Sequence, residues 1–252
     1  VYNRPPFSSE IKRKSASVNG HPTSVRSTLR RLAFQSLVTA LGAIACLGVA
    51  LAQENAAAPK PATAPQAAAA PQGSIDAGRT KSAICAACHG VDGNSVTPDW
   101  PSLAGQHPEY IARQIRAFKT GERKNVTMAP FAQMLSDQDV LDVAAYYSGQ
   151  KPIPKGADPS LVSLGQQIYR GGVPTRGIPA CIACHGPGGH GNPFAAYPRI
   201  GWQHSAYVTK TLQEYKAGER ASDGAKQMMR NVASLLKDDE IRALASYVQG
   251  LD

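Results

Sequence analysis

Two five-residue segments, Cys85-Ala86-Ala87-Cys88-His89 and Cys181-Ile182-Ala183-Cys184-His185, concentrate the chemistry of this chain. Each sets two thiols one helical turn apart and puts an imidazole directly after the second thiol. The C-x-x-C spacing by itself suits a zinc site, a dithiol redox centre or covalent haem. Zinc needs four ligands in tetrahedral geometry and gives no role to a histidine after both second cysteines. A thioredoxin-like dithiol follows a strand in an α/β pattern, which this sequence lacks. The histidine therefore decides for two covalent haem c groups. Cys85, Cys88, Cys181 and Cys184 supply the thioethers, and His89 and His185 are the expected iron ligands.

The elements that must position these groups occur twice. The stretch from Gly105-Gln106-His107 to Gly121-Glu122-Arg123 matches the one from Trp202-Gln203-His204 to Gly218-Glu219-Arg220. Between those ends, apolar residues fall at helical spacing, with Tyr110, Ile111, Ile115 and Phe118 in one copy and Tyr207, Val208, Leu212 and Tyr215 in the other. A glycine near the end of each copy is placed to stop the helix. A further match pairs Leu135–Tyr146 with Leu236–Tyr247, and Ser136 with Asp139 forms a capping pattern at its start. Each half is expected to hold a helix entering the haem motif, a loop, a middle helix, a second loop and a C-terminal helix. Strand-like alternation is absent, so the expected fold is all-α. At 6% aromatic residues, the halves need the haem to complete their cores.

Register selects the second axial ligands. Methionine opposite histidine is a frequent pair in electron-transfer haems and raises the potential. Met128 precedes Leu135 by seven residues and Met229 precedes Leu236 by seven, whereas Met134 and Met228 have no counterpart. Met128 and Met229 are the expected ligands, with Met228 the rival for the second haem. Each proximal imidazole also needs a partner for its other ring nitrogen, commonly a backbone carbonyl. Pro101 and Pro198 follow His89 and His185 by 12 and 13 residues at matching places, and their carbonyls fit that role. A proline turn that only shapes the loop is the competing reading. His107, His204 and His190 are expected to cap, face solvent or stand behind the ligands.

The 252 residues carry a formal charge of +9, which raises the question of nucleic acid. Residues 1–52 hold seven of the basic residues against one acid, Glu10, and the remainder has no clustered Lys/Arg run, so nucleic-acid binding is not expected. Arg26–Arg31 followed by the apolar Leu32–Ala52 reads as a secretory signal, with Gln53 the first mature residue and Val25 the expected start of translation. Left uncleaved, that segment would tether the protein to a membrane. Cys46 lies within the apolar run and is read as an ordinary member of it. The expected organisation is 1–52 extension and signal, 53–73 Ala/Pro spacer, 74–150 first haem domain, 151–159 linker and 160–252 second haem domain.

With Cys-Ala-Ala-Cys-His-Gly, Asp92-Gly93-Asn94, Leu103-Ala104-Gly105-Gln106, Gly171-Gly172, Pro179-Ala180-Cys181 and the ending Tyr247-Val248-Gln249-Gly250-Leu251, residues 74–252 resemble the cytochrome c4 family. The resemblance implies two tandem cytochrome c-like domains related by a pseudo-twofold axis, with haem propionates meeting near the interface. It also implies His/Met ligation in both halves and electron transfer in the periplasm between respiratory proteins, from a cytochrome bc complex toward a terminal oxidase. An enzyme is the rival class, either a di-haem peroxidase or the cytochrome subunit of a periplasmic dehydrogenase. Peroxide reduction needs an open iron position and a nearby acid or base, which two methionine ligands would deny.

Overall fold

Residues 72–252 are described by the computed structural model; the signal, the start at Val25 and residues 53–71 of the spacer lie outside them. Two similar helical halves follow one another. The first contains α1 (Ile75–Lys81), α2 (Ala86–His89), α3 (Pro108–Thr120), α4 (Met128–Gln133) and α5 (Asp137–Ser148). The second repeats the order as α6 (Pro159–Gly171), α7 (Ile182–His185), α8 (Ser205–Lys216), α9 (Met228–Ala233) and α10 (Asp238–Gln249). No β-strand forms among the described residues, only three isolated bridges.

Local chemistry sets the ends of these helices. Pro108 opens α3, and Gly121 closes it in the left-handed region at φ 77°. In the second half Ala217 caps α8 and the left-handed turn falls one residue later, on Gly218. Ser136 accepts from the Asp139 N–H at 3.1 Å while Asp139 accepts from the Ser136 N–H at 3.0 Å, a complete capping box. The short α4 and α9 lie where the sequence suggested only a loop. Periodicity cannot reveal a helix of six residues, and α4 instead starts where the Asn125 carboxamide accepts from the Thr127 and Met128 N–H groups.

Ser136→Ala should cost about 1 kcal/mol, read as a lowered melting temperature. The Ser136 hydroxyl and Lys81 hold the Asp139 carboxyl at about 2. Its folded pKa lies below the unfolded value of about 3.9, so its contribution is complete above that value and disappears as pH falls through about 2. The variant should therefore also show a shallower loss of stability on acidification.

The two crossings that hold each half together pass over glycine. A Cβ on Gly78 would lie 2.0 Å from the Asp142 carbonyl oxygen, so α1 meets α5 backbone to backbone. Gly165 does the same for α6 against α10, 2.3 Å from the Ala243 oxygen. Around these crossings, Ile111, Ile115, Phe118, Val140 and Tyr147 form one core, and Tyr169, Leu212, Tyr215, Ile241 and Leu244 form the other.

Residues 151–158 join the halves without helix and are tied to both. The Ile153 N–H donates to Asn94 at 2.9 Å, and Gln249 donates to the Gly156 carbonyl at 2.7 Å. The Lys155 amine donates to the Trp202 carbonyl at 2.8 Å. The halves also grip one another directly through contacts that occur in pairs. Gln203 bonds both backbone groups of Ser102, at 2.9 and 2.9 Å. Gln106 does likewise with Arg199, at 2.8 and 2.9 Å. Arg123 donates to the Tyr207 hydroxyl and Arg220 to the Tyr110 hydroxyl, each at 2.9 Å. These reciprocal contacts express the pseudo-twofold relation.

Candidate haem centres

In the first half, Cys85 precedes α2 and Cys88 and His89 lie on it. The helix is a single turn, which brings both thiols and the imidazole to one side. His89 is buried, and its Nδ1 donates to the Pro101 carbonyl at 2.8 Å. In the second half Cys181 precedes α7, and the buried His185 donates from Nδ1 to the Pro198 carbonyl at 3.0 Å. Burial pushes both imidazoles toward the neutral form, and the carbonyl bonds only partly offset it. A neutral ring with Nδ1–H engaged leaves Nε2 with a free lone pair, the state a metal requires. Burial likewise lifts the Cys85 and Cys181 thiols to about 11.

One cavity of about 750 Å³ extends through both halves. Cys85, Cys88, His89, Pro101 and Met128 line it in the first half. Cys181, Cys184, His185, Pro198 and Met229 line it in the second. The remaining wall is mostly apolar, with Ile115, Phe118, Leu135, Leu212, Leu236 and Leu244. Met128 packs against the first core and Met229 against the second. Met228 also reaches the cavity but is 43% exposed, and Met134, at 68%, does not line it.

Where the halves meet, the cavity wall changes character. Arg220 is 2% exposed and bonds to Tyr110 and Gln114 at 2.9 Å each, and Arg123 bonds to Gln114 and Tyr207 at 2.9 Å each. Neither guanidinium has a carboxylate within ion-pair distance among the described residues. Burial pushes the Tyr207 phenol up, but the two arginines outweigh it and the net shift is downward. A cation as buried as Arg220 is costly without an anion. An apolar cleft that in each half is lined by two thiols, an imidazole and a methionine, with two arginines where the halves meet, fits a flat apolar macrocycle bearing carboxylates. The residues present therefore fit haem.

Several of these groups were not assigned a role from sequence. Tyr110 and Tyr207 read as apolar positions on a helix face, yet their hydroxyls take part in the interface. His204, expected to cap or face solvent, is 8% exposed and donates from Nε2 to the Ser95 carbonyl of the other half at 2.7 Å. His107 makes no side-chain cap and its Nε2 is buried without a partner. His190 is exposed and pairs with Arg199 at 2.8 Å. Repetition of polar residues at fixed spacing was the available signal for the arginines, tyrosines and glutamines.

This site defines a c-type cytochrome with two haem-binding halves, and the cytochrome c family matches residues 75–148 and 162–252. The chain is 50% identical over 181 residues to cytochrome c4 of Thiocapsa roseopersicina, covering 71% of this chain and 93% of that protein. The crystal structure of reduced recombinant cytochrome c4 from Pseudomonas stutzeri superposes with a TM-score of 0.70 at 44% identity, covering 71% of this chain and all of that one. A thiosulfate dehydrogenase electron acceptor of Thiomonas intermedia is 36% identical over 177 residues, covering 67% of this chain and 78% of that protein. The chain belongs to the cytochrome c4 family: it is a di-haem electron carrier.

Proposed function

We propose that the chain carries electrons through two haems, each of which would be held by two thioethers and by a histidine and a methionine as iron ligands. Cys85 and Cys88 hold the first, with His89 and Met128 as ligands, and Cys181 and Cys184 hold the second, with His185 and Met229. The observation that carries this reading is the lining of the cavity, in which each half offers a carbonyl-anchored histidine and a core-packed methionine at equivalent places of the repeat. Bound there, haem supplies an iron that gains and loses one electron. The apolar walls exclude water, the Pro101 and Pro198 carbonyls hold the imidazoles in one tautomer and orientation, and Arg123 and Arg220 offset the negative charge of propionates.

Replacing Met229 by histidine tests the assignment. One haem should fall in potential by a sizeable part of the roughly 0.8 V range that axial ligands span, with loss of the long-wavelength methionine–iron band for half the haems. An unchanged spectrum would transfer the role to Met228. Met128→His should do the same to the other haem. With both irons closed by methionine, the reduced protein should bind no carbon monoxide, which separates a carrier from a peroxidase.

The cell compartment follows from the export signal read in residues 26–52 together with the thioether motifs, and we place the protein in the periplasm. No helix among the described residues is long and apolar enough to cross a membrane. The partners proposed are a respiratory donor such as a cytochrome bc complex and a terminal oxidase as acceptor. The electron-acceptor relative from Thiomonas intermedia favours a second reading, in which a periplasmic dehydrogenase is the donor. Reduction kinetics with each purified donor distinguish the two. Fractionation with intact mass reports membrane attachment, signal cleavage and the number of haems together.

A further inference from the structure

We propose that each haem is tuned by a glutamine of the opposite half: Gln203 acts on the haem of His89, and Gln106 acts on the haem of His185. The inference rests on His89 and His185 being the proximal ligands. The peptide unit between Pro101 and Ser102 makes a bond at each end. Its carbonyl accepts from His89 Nδ1 at 2.8 Å, and its N–H donates to Gln203 Oε1 at 2.9 Å. The peptide between Pro198 and Arg199 repeats this, accepting from His185 Nδ1 at 3.0 Å and donating to Gln106 Oε1 at 2.9 Å.

A peptide group is conjugated, so an acceptor placed on its N–H draws negative charge onto its carbonyl oxygen. That oxygen then takes a stronger bond from the imidazole N–H, the cooperative strengthening expected of hydrogen-bond chains. An imidazole whose N–H is held more strongly is a more basic ligand, which favours the ferric state and lowers the potential. Both glutamines are fixed in the orientation this requires. Gln203 Nε2 donates to the Ser102 carbonyl at 2.9 Å and Gln106 Nε2 donates to the Arg199 carbonyl at 2.8 Å. A flipped amide would face an N–H with a donor and a carbonyl with an acceptor. Each Oε1 also accepts from the backbone N–H of the next residue, His204 or His107, at 3.1 Å. The two proximal histidines are thus linked to one interface, each through a side chain of the other half.

The test is the potential of each haem in the holoprotein, with the waves assigned by the haem-methyl resonances of the two halves. Gln203→Met, which keeps length and removes both polar atoms, should raise the potential of the His89 haem and leave the His185 haem nearly unmoved. Gln106→Met should do the reverse. The expected change in the ferric/ferrous ratio at fixed potential is roughly two- to tenfold, and tenfold corresponds to about 59 mV for one electron. The Nδ1–H resonance of the affected histidine in the reduced protein should move upfield as its bond weakens. Gln203→Glu retains an acceptor for the Ser102 N–H and should not raise the His89 haem, which keeps the test available if the Met variant folds poorly. An effect confined to the haem of the mutated half, or unchanged potentials and Nδ1–H shifts with intact methionine bands, would overturn the proposal. Failure of the ligand assignment would show separately, as iron-shifted imidazole resonances in the ferric protein that belong to residues other than His89 and His185.

Discussion

Made without its haems, the chain should show no cooperative thermal transition. The cavity of about 750 Å³ is the reason. Without haem the core residues of both halves that line it lose the apolar surface they pack against, at roughly 25 cal/mol for each Å² left facing water. Whole domains are stable by only about 5–15 kcal/mol. Water could fill part of the space, but the Ile, Leu and Phe side chains around it give water few partners. A variant with alanine at Cys85, Cys88, Cys181 and Cys184, examined by circular dichroism during heating, should lose its ellipticity gradually and from a low starting value. A sharp melt close to that of the holoprotein would show that the protein core suffices alone.

The second large effect is expected at the helix crossings. Gly165→Ala puts a methyl 2.3 Å from the Ala243 carbonyl oxygen and 2.6 Å from the Tyr247 Cβ, and Gly78→Ala puts one 2.0 Å from the Asp142 carbonyl oxygen. Overpacking typically costs about 1–3 kcal/mol, and here the obstacle is backbone of a neighbouring helix, which cannot turn aside. We expect the upper part of that range, about 3 kcal/mol, and with roughly 4–8 °C per kcal/mol for a domain of this size a drop of more than 10 °C in melting temperature, on the order given by those figures. Gly171→Ala, at the end of the same α6, meets nothing within 4 Å and should be neutral or slightly stabilising. Equal effects at Gly165 and Gly171 would contradict the packing argument.

Helix positions were legible because each is marked twice. The apolar faces of α3 and α8, the cap at Ser136 and the glycines that stop the middle helices are short-range signals, and the repeat removes chance matches. The thiols and imidazoles were legible for the same reason. What sequence could not carry were contacts whose partners lie about a hundred residues away: Gln203 on Ser102, Arg220 on Tyr110, His204 on Ser95. Tyrosine scores as apolar in a helical pattern, so nothing in the periodicity separated a buried ring from a hydroxyl that bonds across an interface. Histidine before a helix looks like a cap, and only tertiary packing makes His204 a donor to the other half.

The reciprocal contacts also bear on assembly. Gln203 on Ser102 and Gln106 on Arg199 are one contact made twice, as are Arg123 on Tyr207 and Arg220 on Tyr110. A patch that meets its own equivalent across a twofold axis is the defining property of an isologous homodimer. The two halves thus meet largely through equivalent patches, as subunits of such a dimer do, and residues 151–158 hold the pair together within one chain.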